Sequence, residues 1–113
     1  MKKSNIQIEI GLDQDNVPEQ IEWEASDNQT QGLQKVKGML LSLWDGKEEG
    51  TLKIDLWTKE MDVYEMKRFV IDSISGLANT VRQATSDEVF ATEMEYLCQD
   101  LTRRLEREAR MQQ

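Results

Sequence analysis

The chain has 113 residues, 32% of them charged and 38% apolar, with 22 acidic against 14 basic side chains and a formal charge of −8. That length fits one hydrophobic core, and the charge works against phosphate backbones and anionic lipid surfaces because no basic patch offsets it. A single cysteine, Cys98, and the absence of histidine exclude an internal disulfide and the Ser-His and Cys-His nucleophile pairs, and they fit a reducing cytoplasm.

No apolar run follows Lys2 and Lys3 in the manner of a secretory signal, and none is long enough to span a bilayer, so a cytoplasmic protein is expected. Ile6, Ile8, Ile10 and Leu12 alternate with Gln7, Glu9 and Gly11, the period of a strand with one buried face. Asp13-Gln14-Asp15-Asn16 supplies turn formers, Pro18 delays the next strand, and Ile21, Trp23 and Ala25 alternate with Glu22 and Glu24. A hairpin of about 4–12 with 20–26 is predicted.

Leu33, Val36, Leu40 and Leu43 then recur at helical spacing, which predicts a helix over about 30–44 with Gly38 as its weak point and Asp45-Gly46 as its stop. Lys47-Glu48-Glu49-Gly50 would turn the chain into a third strand carrying Leu52, Ile54 and Leu56. Two helices close the chain, about 62–83 starting at Asp62 with Glu65, and about 86–110 starting at Thr85 with Glu88 as a capping box. Their apolar stripes are Met66, Phe69, Val70, Ile74, Leu77 and Val81, and Phe90, Met94, Leu97, Leu101 and Leu105. Gly76 suggests a close helix approach or a bend. The fold class is a single α+β domain over 1–113, a small antiparallel-containing sheet of about three strands with helices on one face, in the order β-β-α-β-α-α.

Between Lys3 and Lys35 stand seven acidic residues and no basic one. On the hairpin Glu9, Glu22 and Glu24 point away from the core residues, forming either a solvated sheet face or a docking face for a cationic partner. Asp13-x-Asp15 resembles the start of a calcium loop but lacks the glycine and distant glutamate that such loops need, and Glu22 with Glu24 gives no sign of the cleft required for paired-carboxylate catalysis. Trp57 shares a strand face with Lys53 and Asp55, opposite Leu52, Ile54 and Leu56, so it is either an uncovered binding anchor or is folded over by the start of the next helix or the loop at 58–61. Trp23 and Trp44 are expected in the core, and Cys98 as a half-buried structural thiol.

Three groups of residues follow one another in order: Val17-Pro18-Glu19 with Ile21-Glu22-Trp23 and Ala25-Ser26-Asp27, Met39-Leu40-Leu41-Ser42-Leu43-Trp44-Asp45, and Ile54-Asp55-Leu56-Trp57-Thr58-Lys59-Glu60-Met61 leading to Glu65-Met66-Lys67. Together these stretches resemble the gliding motility-associated protein GldC family, over about residues 5–67. The Asp-Leu-Trp-Thr-Lys run is the most specific, since no general propensity demands it. The resemblance implies a cytoplasmic accessory component of surface gliding and brings with it no activity, cofactor or established binding residue.

The expected function is therefore that of a non-catalytic accessory protein that binds another protein, a motility or secretion component, through Trp57, Asp55, Lys53, Glu9, Glu22 and Glu24. No enzyme activity, cofactor, metal, nucleic acid or membrane insertion is expected. The alternative is a small acidic chaperone that holds a client protein before export. Monomer and homodimer are both open, a two-fold dimer being built by Phe90, Met94, Leu97 and Leu101 of the last helix.

Overall fold

A computed structural model describes residues 1–27, 29–47 and 50–112. Contacts divide the chain into two compact units, Met1–Met61 and Asp62–Gln113. The first contains five strands, β1 (Ile6–Leu12), β2 (Pro18–Ala25), β3 (Gln34–Val36), β4 (Gly38–Trp44) and β5 (Thr51–Trp57); the second contains α1 (Val63–Thr85) and α2 (Glu88–Met111).

The predicted hairpin is present, antiparallel, with Ile8 opposite Trp23 and Ile10 opposite Ile21. Its turn is organised by Asp13, whose Oδ1 accepts from the backbone N–H of Asp15 at 2.8 Å and of Val17 at 3.0 Å. Asn16 takes the left-handed conformation there, φ 63°, which a short amide side chain tolerates. At the other end, Ser26 ties the strands together: its N–H donates to Asn5 O, its Oγ accepts from Asn5 N, and Ser4 Oγ donates to Asp27. β3 adds to the far side of β2, setting Val36 opposite Ile21, which is only 1% exposed and anchors the apolar face of this three-stranded sheet.

Two parts of the expected architecture need correction. The order is β-β-β-β-β-α-α, and there are two antiparallel sheets, β1-β2-β3 and β4-β5, in place of one. The helix expected over 30–44 is β3 and β4, two strands joined at Lys37, where the chain leaves β2 and takes β5 as its partner. Met39, Leu41 and Leu43 face Leu56, Ile54 and Leu52 across the β4–β5 ladder. A run of seven residues rich in leucine fits both periods, and a strand in need of a partner settles the conflict. Asp45-Gly46 thus opens a hairpin turn, with Gly46 at φ 78° and Asp45 Oδ1 accepting from Lys47 N at 2.8 Å. Glu48 and Glu49 of the predicted turn lie outside the described residues.

The two predicted helices are present. Asp62 caps α1 as expected, its carboxylate accepting from Glu65 N at 2.7 Å. α2 is capped by Asp87, which accepts from Phe90 N at 3.0 Å; Thr85, expected to start this helix, is the last residue of α1. Its hydroxyl donates back to Val81 O and accepts from Asp87 N, joining the helix end to the following turn. The helices pack along Ala78, Ala91, Cys98 and Leu105, all buried. Ala91, Cys98 and Leu105 recur every seven residues, the spacing of an antiparallel helical seam, and small side chains let the backbones approach. Phe90, Leu97 and Leu77, expected in the core, lie beside that seam and are exposed. A Cβ on Gly76 would meet nothing within 4 Å, so no close approach explains that glycine.

Candidate protein-interaction surface

The acidic residues singled out on the hairpin do share one face of the three-stranded sheet. Glu9 stands directly opposite Glu22, and Glu22 in turn opposite Lys35 of β3. Two carboxylates facing each other repel, and neighbouring amides offset this: Gln7 Nε2 donates to Glu9 at 2.8 Å and Gln20 Nε2 to Glu22 at 2.7 Å. Glu24 pairs with Gln7 across the ladder.

Trp57, Asp55 and Lys53 belong to the other sheet. They share a face of the β4–β5 ribbon with Gly38, Leu40, Ser42 and Trp44, and Lys53 Nζ lies 3.3 Å from Asp55 Oδ2. Trp57 is 54% exposed, and Trp44, expected in the core, is 65% exposed at the opposite end of this same face. Thus two tryptophans flank an ion pair on one side of the ribbon. Its other side carries Leu43 and Leu52, the latter 61% exposed. Trp44 escaped sequence reasoning because the false helical period placed it on a core stripe. Its parity with Leu40 and Ser42 in a strand would have found it.

The residues after Trp57 have structural duties. Thr58 is 3% exposed, and both its N–H (2.9 Å) and its Oγ1 (3.1 Å) donate to the carbonyl of Lys37, at the point where β3 passes into β4. Lys59 Nζ reaches Asp13 Oδ2 at 2.8 Å, tying the end of β5 to the β1–β2 turn. The Lys59 hydrogen bond, followed by the amides of Val17 and Asp15, lowers the Asp13 pKa to about 2. In the Asp-Leu-Trp-Thr-Lys run, Thr58 and Lys59 therefore form a corner, while Asp55 and Trp57 project from the ribbon. Asp13, considered above as a calcium ligand, already has its oxygens engaged by two amides and an ammonium; among the described residues no cluster of acidic or cysteine side chains is arranged to hold a metal ion.

The helical unit offers a second apolar feature, an open groove of about 270 Å³ floored by Met66, Val70, Ile71 and Leu101. Lys67 and Arg104 rim it, but both turn to Glu108, at 2.8 and 3.5 Å, and the Lys67 hydrogen bond chiefly holds that carboxyl below the usual glutamate range. At the other end of the hairpin Arg82 donates to Glu88, Asn79 and Glu95, closing the interhelical turn. Cys98 is buried in the seam with its thiol directed at Ile71 O; burial raises its pKa, the opposite of what a reactive thiolate needs. Among the described residues no helix is long and apolar enough to cross a membrane.

The family model described as gliding motility-associated protein GldC-like matches residues 18–107. The chain belongs to this GldC-like family. Most of both units falls within the match, including the ribbon, the Thr58 corner and the helical seam; β1 lies before it, and it continues past the stretches quoted above to residue 107 in α2. Neither a curated protein nor a solved structure matches the chain. Membership associates the chain with gliding motility.

Proposed function

We propose that this GldC-like chain is a non-catalytic, cytoplasmic accessory protein of bacterial gliding that works by binding another protein of the motility or secretion apparatus. The observation that carries this reading is the β4–β5 ribbon, which leaves large apolar side chains exposed on both faces, with Trp44 and Trp57 at opposite ends of one of them. Aromatic side chains are the usual anchors of protein interfaces, and the Lys53–Asp55 pair between them offers polar contacts that fix orientation. Glu9, Glu22 and Glu24 are a separate acidic face on the three-stranded sheet, suited to steering a cationic partner more than to anchoring it.

The test is complementation of a deletion strain in gliding cells. Trp44→Ala with Trp57→Ala should abolish spreading and the co-purification of the partner while leaving the purified protein folded. Normal gliding and unchanged capture by the double variant would sink the reading.

A client-holding chaperone is the second reading, favoured by the apolar face of the helical hairpin, where Val70, Leu77, Phe90 and Leu97 are exposed. Delayed aggregation of a model unfolded protein, lost on Leu77→Glu with Phe90→Glu, would support it over the first.

A further inference from the structure

β1 forms one edge of the three-stranded sheet, pairing only with β2 among the described residues. Ser26 N donates to Asn5 O, so Asn5 faces β2, and alternation turns the backbone N–H and C=O of Ile6, Ile8 and Ile10 outward. Natural edge strands are usually blunted by a lysine, a proline or a bulge in mid-strand. β1 has no proline or charged residue other than Glu9, and its register shift falls only at its end, between Gly11 and Leu12. β3, by contrast, carries Lys35 at its centre and β5 carries Lys53 beside its central Ile54, and β4 has only Ser42 as a polar side chain to fix a register.

We propose that a second copy of the chain pairs along this edge, antiparallel, about a two-fold axis through Ile8. The sequence of β1 is self-complementary about that residue. Ile8 meets Ile8 of the other copy and Ile6 meets Ile10, all on the apolar face, so the apolar surface runs on across the axis. On the polar face Gln7 meets Glu9, an amide donor against a carboxylate. The pairs Ile6–Ile10 and Ile8–Ile8 are those whose outward backbone groups exchange hydrogen bonds. Moving the axis to Glu9 would set the two Glu9 carboxylates directly against each other, and a shift of one residue would put isoleucines on the polar face. The arrangement thus lets two chains of charge −8 meet without opposing like charges along the shared strand. It differs from a dimer through the last helix, and it does not depend on what the β4–β5 ribbon binds.

The experiment is analytical ultracentrifugation of the full-length protein over a dilution series, combined with oxidative cross-linking in a Cys98→Ser background. Wild type should sediment at twice the 13.2 kDa chain mass. Ile8→Cys should form an interchain disulfide, since hydrogen-bonded pairs hold their Cα atoms ~5.5 Å apart. Ile6→Cys alone and Ile10→Cys alone should stay unlinked, because each would face its own copy at roughly 13 Å along the strand, whereas the two variants mixed should cross-link to each other. Ile8→Pro removes an N–H that faces away from β2, so it should yield a folded monomer by circular dichroism and mass. A monomer at every concentration overturns the proposal. So does a dimer that survives Ile8→Pro, or one in which Ile6→Cys links to itself as well as Ile8→Cys does.

Discussion

Gly76 lies in the middle of α1, where a glycine costs helix stability because it frees the unfolded backbone and packs nothing. With open space around its Cβ position, Gly76→Ala should raise stability by about 1 kcal/mol, measured by urea unfolding; a loss would show that the glycine serves a contact. Asp13 is the residue with the clearest pH signature. Its folded pKa, about 2, lies below the usual aspartate value of 3.8, so its stabilising contribution is complete above pH 3.8 and lost as pH falls through about 2. Lys59→Met should make the acid-side decline between those values shallower, because the ammonium is the main cause of the depression; identical pH profiles for the two proteins would refute that assignment. The calcium-like spacing of Asp13 and Asp15 was visible in the sequence, but its meaning was not. The lysine that occupies Asp13 comes from a residue 46 positions away.

Among the elements, the turn between the helices separates the legible from the hidden. Thr85 with Glu88 has the spacing of a capping box, yet Asp87, with its carboxylate two residues nearer, takes the cap while Thr85 finishes α1. Asp87→Ala should therefore cost about 1 kcal/mol of stability in thermal or chemical unfolding, and Thr85→Ala less; the reverse order would restore the sequence-based cap. β3 and β4 were misread for a different reason. Leu33, Val36, Leu40 and Leu43 satisfy a helical period, while Met39, Leu41 and Leu43 satisfy a strand period, and nothing local chooses between them. The ladder with Leu52, Ile54 and Leu56 does. The Thr58 corner that accompanies this switch is equally non-local: its two bonds go to Lys37, 21 residues away. Thr58→Val keeps the shape and removes one donor, and it should destabilise by about 1 kcal/mol, read by urea unfolding.

For the molecule as a whole, exposure divides residues that hold the fold from those free to bind. Trp44 and Trp57 are both more than half exposed, so replacing each with alanine should change stability by no more than about 0.5 kcal/mol while removing most of the aromatic surface of the ribbon. Trp23, facing Ile8 within the sheet, should cost several times more. Equal unfolding midpoints for Trp23→Ala and Trp57→Ala would contradict this division. The sequence by itself determined the first hairpin, the third predicted strand, both helices with one of their caps, the acidic character and the family resemblance. These follow from local signals: alternation, 3.6-residue periodicity, turn chemistry and a specific run of residues. Only the tertiary structure decided that residues 34–44 are strands, that the sheet is split in two, that Trp44 joins Trp57 on an exposed face, and that Thr58 and Lys59 form a corner. Each of those depends on which distant segment pairs with which, and that choice is made by the ladder of backbone bonds and opposed side chains formed when the strands meet.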